Sequence, residues 1–232
     1  MDTPSQRQQQ KDMLYGSISI LMLLVIIMLS GRRVISWMLG TTKLNGTFIF
    51  LHEIFYWLAL LFVWFYSIKI EKQKLLIWQE KQYGLWMHIK SILAILGSII
   101  AIAIPVFVIL NLFHLGKAST RGNELRAILQ ANRPLLLFIA LSAGVTEEFI
   151  FRGYLLPRFE ILFKNSYIAI IVSSVLFGLL HLGYGTVGQV VGPFIIGLVL
   201  SVYYWKYRNI AIPIISHFLW DFVSFSLTMK PH

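Results

Sequence analysis

The 232-residue chain contains no cysteine, so disulfides and thiolate metal sites are both excluded, and the redox compartment cannot be read from thiol usage. Charge is scarce as well. Only 13% of residues are Asp, Glu, Lys or Arg, about half the share a soluble domain carries. Acid is the rarer sign, with 10 Asp and Glu against 20 Lys and Arg. In place of charge there are long apolar runs: 57% of residues are hydrophobic, and the mean hydropathy is +0.73. A chain of this kind is a multi-pass membrane protein. A segment crossing hydrocarbon must satisfy its own backbone polar groups, so the expected fold class is all-α, a polytopic transmembrane helical bundle.

Apolar stretches near the ~17–25 residues needed for a span occur at 14–31, 48–69, 91–113, 134–157, 167–183, 187–205 and 210–229. That predicts about seven spans. Six to eight is the range, because boundaries are soft and residues 34–39 read as a re-entrant or interfacial piece. The first run is longer than a signal-peptide core and ends at Gly31-Arg32-Arg33 without a small-residue cleavage site, so it reads as a retained span. The chain therefore divides into a polar leader (1–13), an N-terminal membrane region with three spans and two surface segments (14–133), and a four-span core (134–229).

The surface segments are 70–90 and 114–133. In the first, Leu75-Leu76-Ile77-Trp78, with Trp86 and nearby lysines, fits an interfacial helix; a solvated linker is the alternative. The net charge of +10 does not indicate nucleic acid, because the basic residues are scattered through loops, where anionic headgroups and the positive-inside rule account for them. Eleven Lys and Arg on the N-terminal side face eight on the other, Lys230 among them, which favours a cytoplasmic N-terminus. The lipid bilayer is the first expected partner.

Against this background Glu147, Glu148 and Arg152 stand inside an apolar run. Such side chains cost on the order of 2.5–3.5 kcal/mol each at the centre of a bilayer, so their presence points to chemistry or to a specific partner at that depth. On a helix Glu148 and Arg152 are four residues apart and share a face, while Glu147 lies about 100° around the axis. The two glutamates are thus expected to differ in proton affinity. Gly144 leaves room for a close backbone approach. Two later spans add Phe177 with His181, and His217 with Asp221 at the spacing that lets a carboxylate orient an imidazole. Each element also has a plain reading. His181 sits near a span end, where headgroup-level residues belong, and the pairs Glu148–Arg152 and His217–Asp221 can be structural bridges. His52-Glu53 is a further polar pair, close to an expected interface.

Glu147-Glu148-x-x-x-Arg152, Phe177-x-x-x-His181 and His217-x-x-x-Asp221, in this order on consecutive late spans, resemble the CPBP (Abi) family of intramembrane proteases. That family groups the CAAX-processing endopeptidase Rce1 with bacterial proteins of bacteriocin maturation and immunity. The likeness covers 134–229; residues 1–133 carry no comparable motif. It implies peptide-bond hydrolysis by a glutamate-activated water: Glu147 as general base, His181 helping to hold the water, Glu148 held by Arg152, and His217 with Asp221 lining the oxyanion site. Asp221 stands where one form of the family has asparagine. An ionised carboxylate cannot donate to an oxyanion, so Asp221 would act protonated or by orienting His217. No cofactor is expected, although two histidines with carboxylates also make a Zn²⁺ ligand set.

The leading expectation is an intramembrane endopeptidase in the cell membrane, most simply a bacterial plasma membrane, acting on a peptide or protein near the surface. A leader peptide, bacteriocin precursor or peptide pheromone suits the bacterial branch. The alternative is a non-proteolytic bacteriocin self-immunity protein or regulator of a membrane sensor. A proton relay or transporter is a third class, disfavoured because no internal repeat is visible.

Overall fold

A computed structural model describes residues 4–117 and 119–227, and among these there are helices and connections but no strand. The helices are α1 (Pro4–Leu39), α2 (Gly46–Lys69), α3 (Leu85–Leu112), α4 (Thr120–Ala131), α5 (Arg133–Glu148), α6 (Leu156–Phe163), α7 (Ser166–Leu179), α8 (Gly188–Tyr207) and α9 (Ala211–Ser226). A π-helical segment, Phe149–Leu155, joins α5 to α6, and a 3₁₀ turn, Leu180–Tyr184, follows α7.

Six helical stretches are long and apolar enough to cross a membrane: α1, α2, α3, α5 through α6, α7 with its 3₁₀ turn, and α8. The protein is thus a multi-pass membrane protein with an all-helical fold. The expected seventh span is the shorter α9, 16 residues, or about 24 Å at 1.5 Å per residue, against a hydrocarbon layer of about 30 Å. Residues 228 and 229 of that expected span, residues 1–3 of the leader, and Lys230 lie outside the described residues. Residues 34–39 continue α1 without a break, and α1 begins at Pro4, so residues 4–13 form its first turns.

Local sequence sets the helix ends. Asn45, Asn132 and Asn165 accept from Phe48 N, Leu135 N and from both Tyr167 N and Ile168 N, capping α2, α5 and α7. Pro134 follows Asn132 in the first turn of α5, where its missing N–H costs nothing. α5 packs against both α2 and α9, α7 lies along α8, and α3 leans on α8 and α9. Gly144 permits the α5–α9 contact: a Cβ there would sit 3.0 Å from Ile214 O and 3.1 Å from Phe218 N.

The segment 70–84 corrects the sequence reading, because it is irregular and forms no interfacial helix. Its residues are pinned into the bundle. Arg158, one residue past the expected span 134–157, is fully buried in α6 and binds both Glu71 carboxylate oxygens as well as the Leu75 and Lys74 carbonyls. Tyr154 donates to the same Glu71 at 2.5 Å. Trp78 donates to Glu160 and lies under the Arg208 guanidinium, 3.4 Å from its ring centre. An interfacial helix would leave these polar groups unmatched, so the extended strap wins. Segment 114–133 contains α4, which the hydrophobic pattern alone does not single out.

Candidate active site

The site forms where α5, the π segment, α7 with its 3₁₀ turn, and α9 meet. The π segment begins directly after Glu148, and the N–H of Leu156 reaches the Phe151 carbonyl five residues back. Pro157 follows. A proline in a regular helix loses one hydrogen bond and presses its ring on the carbonyl four residues earlier; a π turn widens the helix and relieves that clash. Gly153, within the widened turn, meets the strap: a Cβ there would approach Leu76 Cδ2 to 2.7 Å.

Glu148 is the hub. Its Oε1 accepts from Arg152 Nη1 at 2.7 Å and from His217 Nδ1 at 2.8 Å, and both Glu148 and Arg152 are fully buried. A carboxylate only accepts, so Nδ1 carries a hydrogen, and Nε2 is the ring nitrogen left to face the open side of the cluster. That nitrogen lies 3.6 Å from Asp221 Oδ2 and 3.9 Å from Glu147 Oε2, beyond direct hydrogen bonding. The sequence reading gives the orienting role to Asp221; the shorter and buried contact is with Glu148. Glu147 and Asp221 are the open members, with side chains 19% and 21% exposed.

Arg152 stacks its guanidinium 4.5 Å from the Phe177 ring centre. Gly197 of α8 makes room for it: a Cβ there would lie 3.3 Å from Arg152 Nη2. Glu148 Oε2 and the Arg152 Nε and Nη2 atoms have no hydrogen-bond partner among the described residues. His181 Nδ1 donates to the Phe177 carbonyl at 2.9 Å, which leaves its Nε2 as an acceptor. The Phe177 ring lies between the two imidazoles, 5.2 Å from His181 and 6.0 Å from His217. Glu147, Glu148, Arg152, His217 and Asp221 are therefore drawn together directly, and His181 stands alongside through Phe177. Among the described residues, no group of three or more His, Asp or Glu side chains is arranged to hold a metal ion.

Three residues near this cluster do not stand out as site residues in the sequence. Glu53 of α2, read as lying close to the interface, is buried and accepts from Ser142 Oγ. It stands within electrostatic range of Glu147 and Asp221. Tyr56 and Tyr184 are within range of both Glu53 and Glu147. The available signal is the acidic Glu53 within an apolar run; nothing in spacing reveals the tyrosines.

Fold and site define a multi-pass membrane protein with an acid and imidazole cluster held between its late helices. Residues 129–223 match the family described as type II CAAX prenyl endopeptidase Rce1-like, the family expected from the three motifs, and all seven residues named in those motifs fall within the match. Over those residues, which are less than half of the chain, the protein is similar to this Rce1-like family of endopeptidases. No curated protein and no solved structure matches the chain.

Proposed function

We propose that the protein is an intramembrane endopeptidase that hydrolyses a peptide bond with a water activated by Glu147. The observation that supports this most is the division within the cluster. One carboxylate, Glu148, is buried between Arg152 and His217, while its neighbour Glu147 stays partly open beside the other nitrogen of the same imidazole.

In this reading, water held between Glu147 and His181 Nε2 gives a proton to Glu147 as its oxygen bonds to the scissile carbonyl carbon. The carbonyl electron pair moves onto oxygen, where protonated His217 or protonated Asp221 can donate to it. When the tetrahedral species collapses, the C–N bond breaks and Glu147 returns the proton to the leaving nitrogen. Glu148 and Arg152 touch no reacting atom; they fix the His217 ring.

The substrate we infer is a peptide or protein segment at the membrane surface. In a bacterial plasma membrane, a leader peptide, bacteriocin precursor or pheromone would fit, whereas a prenylated CAAX tail needs a prenylation system. The test is mass spectrometry of candidate peptides incubated with purified wild-type and Glu147→Gln protein, with and without a chelator. The expected result is cleavage by wild type that persists under chelation and falls by about 10²–10⁴-fold in the variant. Unchanged cleavage by Glu147→Gln would reject the assigned base. A cellular phenotype that survives Glu147→Gln would favour a binding or immunity role instead.

A further inference from the structure

Three acidic residues are buried among the described residues, and two of them face an arginine: Glu71 with Arg158, and Glu148 with Arg152. The third, Glu53, is 8% exposed and has no cationic partner among the described residues. Its orientation is nevertheless fixed. The Trp57 indole N–H can only donate, and it gives to Ser142 Oγ at 2.6 Å; the serine proton is thereby directed onto Glu53 Oε1 at 2.9 Å. Trp57 follows Glu53 by one turn of α2, so both reach the same serine of α5. Oε2 accepts no hydrogen bond among the described residues.

The surroundings carry a surplus of acid. Glu147, Glu148 and Asp221 stand around the His217 imidazole, Glu148 alone pairs with Arg152, and Glu53 lies in electrostatic range of Glu147 and Asp221. Arg121, the cation near Tyr184, is turned onto the Gly183 carbonyl. A carboxylate taken out of water is stable only against a proton or a cation; among the described residues no arginine or lysine pairs with Glu53, so an incoming ammonium would take the place of the proton. Tyr56 and Tyr184 add aromatic surface in range of the same carboxyl.

We propose that Glu53 Oε2 receives an ammonium group of the peptide substrate, borne by a lysine side chain or a free α-amine next to the scissile bond. Its place as a substrate subsite rests on the hydrolase reading above. A buried carboxylate without a cation of its own suits an ammonium ion, which it can pair through a charge-assisted hydrogen bond. Glu53 lies outside residues 129–223, so selectivity would come from α2, while the reacting groups come from the family-matched helices.

The test measures binding of four fluorescent apolar peptides to full-length protein in nanodiscs, with Glu147→Gln present so that none is consumed. The peptides are identical except for a central Lys or norleucine, each with a free or acetylated N-terminus. Tighter binding of an ammonium-bearing peptide, by roughly ten- to a hundredfold, is expected, and the acetylated pair tells which ammonium is read. Adding Glu53→Gln, which keeps an acceptor for Ser142, is expected to erase that preference. Ser142→Ala, which frees the carboxylate to turn, is expected to weaken it even if Glu53→Gln does not fold. Equal binding of all four peptides, or a preference untouched by both variants, would overturn the proposal. Cleavage by wild-type protein is scored separately. Its absence counts against hydrolysis and leaves the binding comparison intact.

Discussion

His217 donates its Nδ1–H to Glu148 at 2.8 Å, across the α5–α9 contact, and so turns its other nitrogen toward Glu147 and Asp221. Adjacent glutamates in the chain are thereby given different surroundings. One is closed in by Arg152 and His217; the other faces the open side of the cluster.

This difference predicts a contrast between isosteric variants. Glu147→Gln is expected to lose cleavage while unfolding at the wild-type temperature, because the nearest charged partner of its side chain, His217 Nε2, stands 3.9 Å away. Glu148→Gln leaves Arg152 buried without a counter-charge, a loss of the kind that costs about 3–5 kcal/mol. It is expected to lose both activity and stability. Thermal unfolding in detergent beside a cleavage assay measures both, and equal stability of the two variants would contradict the assigned division.

Glycine positions give a second contrast. Gly144→Val would drive a side chain into the backbone of α9, 3.0 Å from Ile214 O for its Cβ alone. Overpacking of this kind costs about 1–3 kcal/mol and would move His217 away from Glu148. Gly97, where an added Cβ would meet nothing within 4 Å, is the control: Gly97→Val is expected to leave unfolding and cleavage unchanged.

The strap supplies a third prediction. Arg158→Met removes the cation that holds Glu71 and two strap carbonyls, and a broken buried pair again costs about 3–5 kcal/mol. Limited proteolysis is expected to cut within residues 70–84 in the variant and to spare them in the wild type. Resistance of the variant's strap would show that Trp78 anchors it without Arg158.

The late helices are legible because their chemistry is written locally. Glu148 and Arg152, and His217 and Asp221, are each four residues apart, and Gly144 marks a close crossing by its lack of a side chain. The Glu148–His217 bond joins residues 69 apart, and Glu71–Arg158 joins residues 87 apart. No periodicity encodes such pairs. Leu75 to Trp78 read as amphipathic because apolar residues cluster there, yet the hydrogen-bonding demand of buried Arg158 and half-buried Glu160 draws that stretch out of helical form. Glu53 reads as an interface residue from its place near a span start, whereas the packing of α2 on α5 buries it against Ser142.

The position of His181 depends on a contact well outside its own helix. It stands on the 3₁₀ turn Leu180–Tyr184, and α4 grips the end of that turn: Ser119 donates to the Tyr184 carbonyl at 2.8 Å, and Arg121 donates to the Gly183 carbonyl. Ser119 also accepts from Gly122 N at 3.0 Å, so one hydroxyl both caps α4 and fastens the turn. Ser119→Ala removes both bonds, and loss of a cap alone costs about 0.5–2 kcal/mol. Since α4 is a short surface helix, that loss is expected to loosen α4 and the turn without unfolding the bundle. Amide exchange at 180–185 should then accelerate, and kcat should fall with little change in KM, because His181 is placed to act on the water and not on peptide binding. Ser119→Thr keeps the hydroxyl and is expected to restore both readouts. If exchange accelerates while kcat is unchanged, His181 has no part in the reaction.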